Sequence, residues 1–195
     1  HFEHKCAIIN KKDEKRTKMY IWTGINVDSQ LADVKSQVKA VEESIGFDNS
    51  NFTLPFHISL KISFEVDCGI YPDVVNTIIE YYKTLAPFDI AVSGIEIENI
   101  IVWIRMKESE ITNKIHDDLD RILMEKYGVP RHEYDLDYKF HTTLFMDSDE
   151  GKISSAYREI KDIKIPSSLH VDSFLIGASE TGALGTYKVT PNIKI

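Results

Sequence analysis

The sequence predicts a fold of mixed strands and helices, built as two similar lobes on either side of a central groove. Strand-like and helix-like patterns alternate along the chain, and the order strand, helix, strand, helix, strand occurs twice. Equivalent residues of the two copies are separated by a nearly constant offset, since Trp22 recurs as Trp103 and Gly46 recurs as Gly128. Two such units packed about an approximate two-fold axis would place equivalent strands side by side and leave a groove between them.

The first predicted unit runs from Met19 to about Gly94. β-Branched and aromatic residues mark its strands, while apolar residues at helical spacing mark its helices. It comprises a strand at 19–27, a helix at 31–45, a strand at 56–66, a helix at 72–82 and a strand at 88–92. Gly46 follows the first helix and Pro72 opens the second, as is typical of helix ends and helix starts.

The second predicted unit repeats this order. It comprises a strand at 97–106, a helix at 111–127, a polar loop at 130–137, a strand at 138–145, a helix at 153–160 and a strand at 169–176, followed by a closing strand at 187–193. No linker beyond Ser93-Gly94 divides the two units. We therefore predict one domain over residues 19–195, with lobes at roughly 19–94 and 95–195 between which strands can be exchanged.

Each unit carries the same short motif in its central strand. The motif Phe56-His57-Ile58-Ser59-Leu60 recurs in the second unit as Phe140-His141-Thr142-Thr143-Leu144. Side chains alternate along a strand, so each histidine lies on the same side as the hydroxyl residue two places on. If the two copies face each other across one groove, the site has two imidazoles that exchange protons near neutral pH and two hydroxyls that can hold a phosphate.

The presence of two copies is what gives this motif its weight. A single histidine in a strand is more often satisfied by a neighbouring carbonyl than used in chemistry. The other five histidines lack Ser or Thr at this spacing: His1, His4, His116, His132 and His170. Two matched copies in equivalent strands therefore indicate a shared site.

The composition favours a small or short ligand. The net charge is −8, whereas proteins that grip long nucleic acid normally show a basic face. No apolar run is long enough to cross a membrane, and no segment resembles a dedicated dimerisation helix. We therefore expect no long duplex nucleic acid, no membrane and a monomer.

The cysteines and the first residues carry weaker expectations. Cys6 and Cys68 predict free thiols in a reducing compartment, and hence a cytoplasmic protein, although a disulfide would form if the fold brought them together. Residues 1–18 contain the only dense basic run and no initiator methionine, so we expect a leader, a tag remnant or a linker there. For a metal, the nearest suggestion is His132 with Glu133, which are better explained as solvated loop residues.

With its two motifs the chain resembles the 2H phosphoesterases, a group that includes bacterial RNA 2',3'-cyclic phosphodiesterases (also called 2'-5' RNA ligases), plant cyclic phosphodiesterases and viral 2',5'-oligoadenylate phosphodiesterases. The family signature is His-x-Ser/Thr followed by an apolar residue, present twice at a wide spacing. Both His57-Ile58-Ser59-Leu60 and His141-Thr142-Thr143-Leu144 fit it. The resemblance extends from Tyr20 to about Ile193.

The resemblance implies an α+β fold of two lobes, with antiparallel sheets flanked by helices, and a phosphodiesterase without a metal or other cofactor. It implies that His57 and His141 are the catalytic pair and that Ser59 and Thr143 bind phosphate oxygens. The implied substrate is a small nucleotide or short oligonucleotide with a 2',3'-cyclic phosphate or a 2',5' linkage. Three tyrosines are candidates for stacking on a base: Tyr134, Tyr138 and Tyr187.

Three other functions are compatible with the sequence. The groove could bind a nucleotide without cleaving it, or the same chemistry could run in reverse and join RNA ends as a 2'-5' RNA ligase. A small acidic protein also suits an enzyme that destroys a signalling nucleotide. Hydrolysis is favoured over ligation by the high concentration of water, and catalysis is favoured over binding alone because both His-hydroxyl pairs are intact.

Overall fold

The predicted α+β fold with antiparallel sheets is confirmed. The computed structural model describes residues 18–47 and 54–195, which form four α-helices and two sheets. The elements are β1 (Lys18–Asn26), α1 (Ala32–Ile45), β2 (His57–Asp67), α2 (Tyr71–Tyr82), β3 (Phe88–Glu98), β4 (Ile101–Met106), α3 (Glu110–Tyr127), β5 (His141–Met146), α4 (Glu150–Ile160), β6 (Ser168–Val171), β7 (Ser173–Ser179), β8 (Lys188–Val189) and β9 (Ile193–Lys194).

The first sheet is built from the beginning and the end of the chain, and the second sheet from the part between them. The first sheet has the strand order β2-β1-β7-β8, with β9 also paired to β7, and the second has the order β5-β4-β3-β6. Every pairing is antiparallel. Strand β3 begins before residue 94 and belongs to the second sheet, whereas β7 to β9 return to the first sheet.

Three predicted strands are divided in the structure. The strand expected at 97–106 is interrupted by a turn at 99–100, so that its first two residues end β3 and the remainder forms β4. The strand expected at 169–176 is β6 and β7, which meet at Asp172 and pair with different sheets, β6 with β3 and β7 with β1. The closing strand expected at 187–193 is the two short strands β8 and β9. Pro191 lies between them, and proline has no N–H to donate to a ladder.

Helix ends and the buried core follow the sequence pattern closely. Gly46 and Gly128 end α1 and α3 with φ angles of 78° and 69°, in the left-handed region that glycine adopts without strain. On the face of β2 opposite the motif histidine, Ile58 and Leu60 are fully buried. Both sheets therefore bury one face and turn the motif side chains away from the core.

The expectation of free thiols is wrong for Cys68. This residue follows β2 and is disulfide-bonded, so the thiol argument for a reducing compartment does not apply to it. Cys6 and the predicted leader lie outside the described residues, apart from Lys18, which begins β1. In the described part of the chain, no helix is long and apolar enough to span a membrane.

Candidate active site

The two motif histidines occupy matching positions at the starts of β2 and β5. The Nδ1 atom of His57 lies 2.8 Å from the carbonyl oxygen of Pro55, and Nδ1 of His141 lies 2.6 Å from that of Lys139. A carbonyl oxygen can only accept, so Nδ1 donates in both rings and carries the proton in the neutral form. Nε2 is therefore the atom of each ring that takes up and releases a proton.

Each histidine ring also packs against a tryptophan of the neighbouring strand. The ring centroids of Trp22 and His57 are 4.2 Å apart with an interplanar angle of 23°, and those of Trp103 and His141 are 4.3 Å apart at 37°. Both indoles are more than nine-tenths buried. Because the backbone carbonyl and the indole together fix the imidazole plane, Nε2 has a defined direction in each half of the site. The sequence showed the two tryptophans as repeat markers, but gave no sign that they support the histidines.

The hydroxyl residues precede a matching irregularity in each sheet. Gly24 pairs with Ser59 and Thr23 with Lys61, so β2 has one residue more than β1 at this point. In the second sheet Trp103 pairs with Thr143 and Val102 with Phe145, so β5 has one extra residue at the same place in its motif. Bulges of this kind redirect side chains and are common beside active sites.

The four motif side chains meet in one cavity. His57, Ser59, His141 and Thr143 all line a space of about 570 Å³, large enough for a small ligand. Most of the remaining lining comes from the first sheet, α1 and the loop before β8. The structure therefore brings together the two His-hydroxyl pairs that lie far apart in the sequence.

The environment of the site lowers the pKa of both histidines. For His57 the main cause is burial, which disfavours the charged ring; the nearby charge of His141 lowers its pKa further, and the Pro55 carbonyl raises it. Burial is also the main cause for His141, where the Lys139 carbonyl opposes it and the Arg105 guanidinium adds to it. Both rings therefore favour the neutral form at pH 7, in which Nε2 can accept a proton.

The three candidate tyrosines lie at different distances from the cavity. Tyr187 lines it, and its hydroxyl is 2.6 Å from Ser63 Oγ. Tyr138 shares a hydrogen bond with Ser59, and burial raises the pKa of its phenol. Tyr134 is 70% exposed and does not line this cavity. Of the three, Tyr187 is placed to contact a ligand directly, and Tyr138 to support Ser59.

A buried ionic cluster lies behind the first motif, and nothing in the sequence pattern drew attention to it. Lys61, two residues after Ser59, places its Nζ atom 2.6 Å from Asp120 Oδ1 and 2.5 Å from Asp135 Oδ2. Arg131 approaches Asp120 at 3.0 Å, and His116 Nδ1 donates to the Leu60 carbonyl at 2.6 Å. The cluster ties β2 to α3 and to the loop before β5. Strand alternation places Lys61 on the same side as His57 and Ser59, so the sequence does not mark it as buried.

No group of three or more His, Cys, Asp or Glu side chains in residues 18–47 and 54–195 is arranged to hold a metal ion. Lys35 and Lys39 of α1 line the cavity, and Arg105 of β4, which does not line it, lies opposite His141 on the neighbouring strand and acts on its charge. Lys35 is paired with Asp28 at 2.5 Å.

Comparison with known proteins shows the fold. No protein-family model and no curated protein sequence matches the chain. Among solved structures, TT0787 of Thermus thermophilus matches with a TM-score of 0.58 and 17% identity over 90% of this chain and 97% of its own. E. coli LigT in complex with 3'-AMP matches with a TM-score of 0.55 and 16% identity over 89% of this chain and 95% of its own. A structure described as a phosphoesterase also has a TM-score of 0.55, at 16% identity over 89% of this chain and 94% of its own. This chain therefore has the fold of the 2H phosphoesterases, the family that its two motifs resemble.

Proposed function

We propose that this protein is a metal-independent phosphodiesterase that hydrolyses a 2',3'-cyclic phosphate or a 2',5'-linked (oligo)nucleotide by two-histidine acid/base catalysis. One observation carries the proposal: two histidines, each held at Nδ1 by a backbone carbonyl and supported by an indole, line one cavity with two hydroxyls. That arrangement supplies a base, an acid and phosphate ligands without a nucleophile from the protein.

For a cyclic phosphate, the attacking group is water. The neutral histidine accepts a proton from water at Nε2 as the water oxygen bonds to phosphorus. The other histidine, protonated, donates from Nε2 to the ribose oxygen as the bond between that oxygen and phosphorus breaks. The products are a phosphate monoester and a free ribose hydroxyl, and the two histidines end with their protonation states exchanged. For a 2',5' linkage, the neighbouring 3'-hydroxyl replaces water as the attacking group, and the 5'-oxygen leaves with a proton from the other histidine. The resulting 2',3'-cyclic phosphate is then opened by water as above.

Ser59 and Thr143 are assigned to the non-bridging phosphate oxygens. Both are half-buried in the cavity wall, two residues beyond a catalytic histidine. Their hydroxyls can donate to oxygens whose charge increases in the transition state, each worth on the order of 3 kcal/mol by analogy with oxyanion donors.

The rest of the cavity suits a nucleoside. Apolar and aromatic side chains form much of the wall on the side of the first sheet, among them Phe56, Ile62, Leu184 and Tyr187. Lys35 and Lys39 add positive charge at the α1 side. E. coli LigT, which has the same fold, has been solved with 3'-AMP, with ATP and with phosphate. A mononucleotide or short oligonucleotide fits this combination of surfaces.

The test is a substrate panel assayed with EDTA present. Nucleoside 2',3'-cyclic phosphates, 2'-5' and 3'-5' linked adenylates and a cyclic dinucleotide are each incubated with the wild type and with a His57→Ala/His141→Ala variant. We expect the wild type alone to cleave a 2',3'-cyclic phosphate or a 2',5' linkage. Wild-type activity that is seen without EDTA and is lost when EDTA is present would contradict the metal-free scheme. Tight binding of a nucleotide without turnover of any panel member would instead favour a nucleotide-binding module.

A further inference from the structure

We propose that Arg105 is a further substrate-binding residue, whose guanidinium takes an anionic oxygen of the substrate phosphate on the His141 side of the site. The proposal rests on the proposed function, since the anion concerned is the phosphate on which the histidines act. None of the motif residues supplies a positive charge that is independent of pH, whereas a guanidinium is always charged and presents five N–H donors.

Strand pairing places Arg105 on the catalytic face of the second sheet. Arg105 of β4 lies directly opposite His141 of β5, and Trp103 lies opposite Thr143. Directly paired residues of an antiparallel sheet project to the same side, with Cβ atoms about 5 Å apart. The intervening Ile104 is fully buried in the core. Arg105, Trp103, His141 and Thr143 therefore share the face that is turned away from the core.

One nitrogen of the Arg105 guanidinium is buried without a hydrogen-bond partner among the described residues. This nitrogen is Nη1, and the Arg105 residue as a whole is half-buried. A buried charged donor without a partner is costly, so the site is more favourable with an anion present. Glu98, whose charge also acts on His141, is paired with Lys139 at 3.0 Å and so is committed elsewhere.

The repeat gives a second, independent reason. Asn26 of β1 lies opposite His57 as Arg105 of β4 lies opposite His141, and its amide donates to Asn192 Oδ1 at 2.7 Å. Gly24, opposite Ser59, has no room for a side chain, because a Cβ atom there would lie well under 3.0 Å from the Ile58 carbonyl oxygen. Opposite the motif residues, β1 therefore presents no cation, whereas β4 presents Arg105. This asymmetry between the two strands directs the reacting phosphate towards Arg105 and the second sheet.

The experiment measures binding of inorganic phosphate by isothermal titration calorimetry at pH 7, which requires no turnover. The variants are Arg105→Gln and Arg105→Lys, and the control is Arg158→Gln, which removes the same charge from an exposed position on α4. We expect Arg105→Gln to weaken phosphate binding about tenfold or more, Arg105→Lys to weaken it less, and Arg158→Gln to leave it within about twofold of wild type. NMR titration of the His141 ring should also show a higher pKa in Arg105→Gln than in wild type, because a nearby positive charge has been removed.

Two results would overturn the proposal. One is wild-type phosphate affinity in Arg105→Gln, with thermal unfolding showing that the variant is folded. The other is a wild-type protein that binds no phosphate. If Arg105→Gln does not fold, Arg105→Lys decides the matter, because unchanged phosphate affinity in this variant contradicts a role for the guanidinium fork. Failure of the substrate panel would count against the proposed hydrolysis alone, since phosphate binding is measured separately.

Discussion

Replacement of Lys61 by methionine should destabilise the protein strongly, because it leaves buried carboxylates without their cation. Methionine has a similar length and volume, so the change removes the charge and creates little empty space. The Lys61 side chain is 1% exposed, and its partners Asp120 and Asp135 are 8% and 0% exposed. Asp135 depends on Lys61 most, because Lys61 is its one cationic partner among the described residues, whereas Asp120 is also paired with Arg131.

The size of the effect follows from the distances. At an effective dielectric constant of about 20, unit charges at the 2.6 Å separation of Lys61 and Asp120 attract by roughly 6 kcal/mol. Desolvation offsets much of this attraction in the intact cluster. Removal of one partner loses the attraction but keeps the desolvation cost of the charges left behind, and such changes typically cost about 3–5 kcal/mol. We therefore expect Lys61→Met to lower the free energy of unfolding by about 3–5 kcal/mol.

Urea unfolding followed by circular dichroism measures this loss. The matched control is Lys114→Met, which breaks an exposed pair with Asp118 on α3 and should cost no more than about 0.5 kcal/mol. A Lys61→Met/Asp135→Asn variant should be more stable than Lys61→Met, because the charge left unpaired is also removed. The reasoning is refuted if Lys61→Met costs no more than the Lys114→Met control, or if Asp135→Asn adds to the loss in the double variant.

Two further predictions concern the histidines. Gly177→Ala should destabilise the protein by about 1–3 kcal/mol and reduce turnover. A Cβ atom at Gly177 would lie well under 3.0 Å from Trp22 Nε1 and would displace the ring that supports His57. Urea unfolding measures the loss of stability, and a rate assay measures the loss of turnover. Gly69→Ala, with nothing within 4 Å of its Cβ position, is the control, and equal effects of the two substitutions would count against the prediction. The pH profile of kcat/KM, which reports the free enzyme, should be bell-shaped with its maximum below pH 6.5, since the pKa of each histidine is lowered from that value. A maximum above about pH 7.5 would contradict the assigned environments.

The features that could be predicted from sequence are those set by local chemistry. Gly46 and Gly128 end their helices because they provide the left-handed conformation without strain. The two motifs place His57 beside Ser59 and His141 beside Thr143 because strand periodicity is a property of the backbone itself. These local rules, applied to two copies of one motif, were enough to predict the two-sided arrangement of the cavity.

The features that could not be predicted depend on distant partners. The sequence predicts one strand over residues 169–176, yet β6 and β7 pair with different sheets. Lys61 is buried because carboxylates from α3 and from the loop before β5 reach it. The contacts of Trp22 with His57 and of Arg105 with its neighbours depend on strand register, including bulges that the sequence does not mark.

The central claim is that the two histidines act together in one proton-transfer step. The most direct test is the single-turnover rate on the preferred panel compound for wild type, His57→Ala, His141→Ala and the double variant, with His170→Ala as a control because His170 is exposed on β6 and paired with Asp89. We predict that each single variant loses about 10²- to 10⁴-fold and that the double variant is little worse, because groups that act as a unit are not additive. His170→Ala should keep the wild-type rate. A near wild-type rate in either His57→Ala or His141→Ala, with the variant folded, would contradict the account.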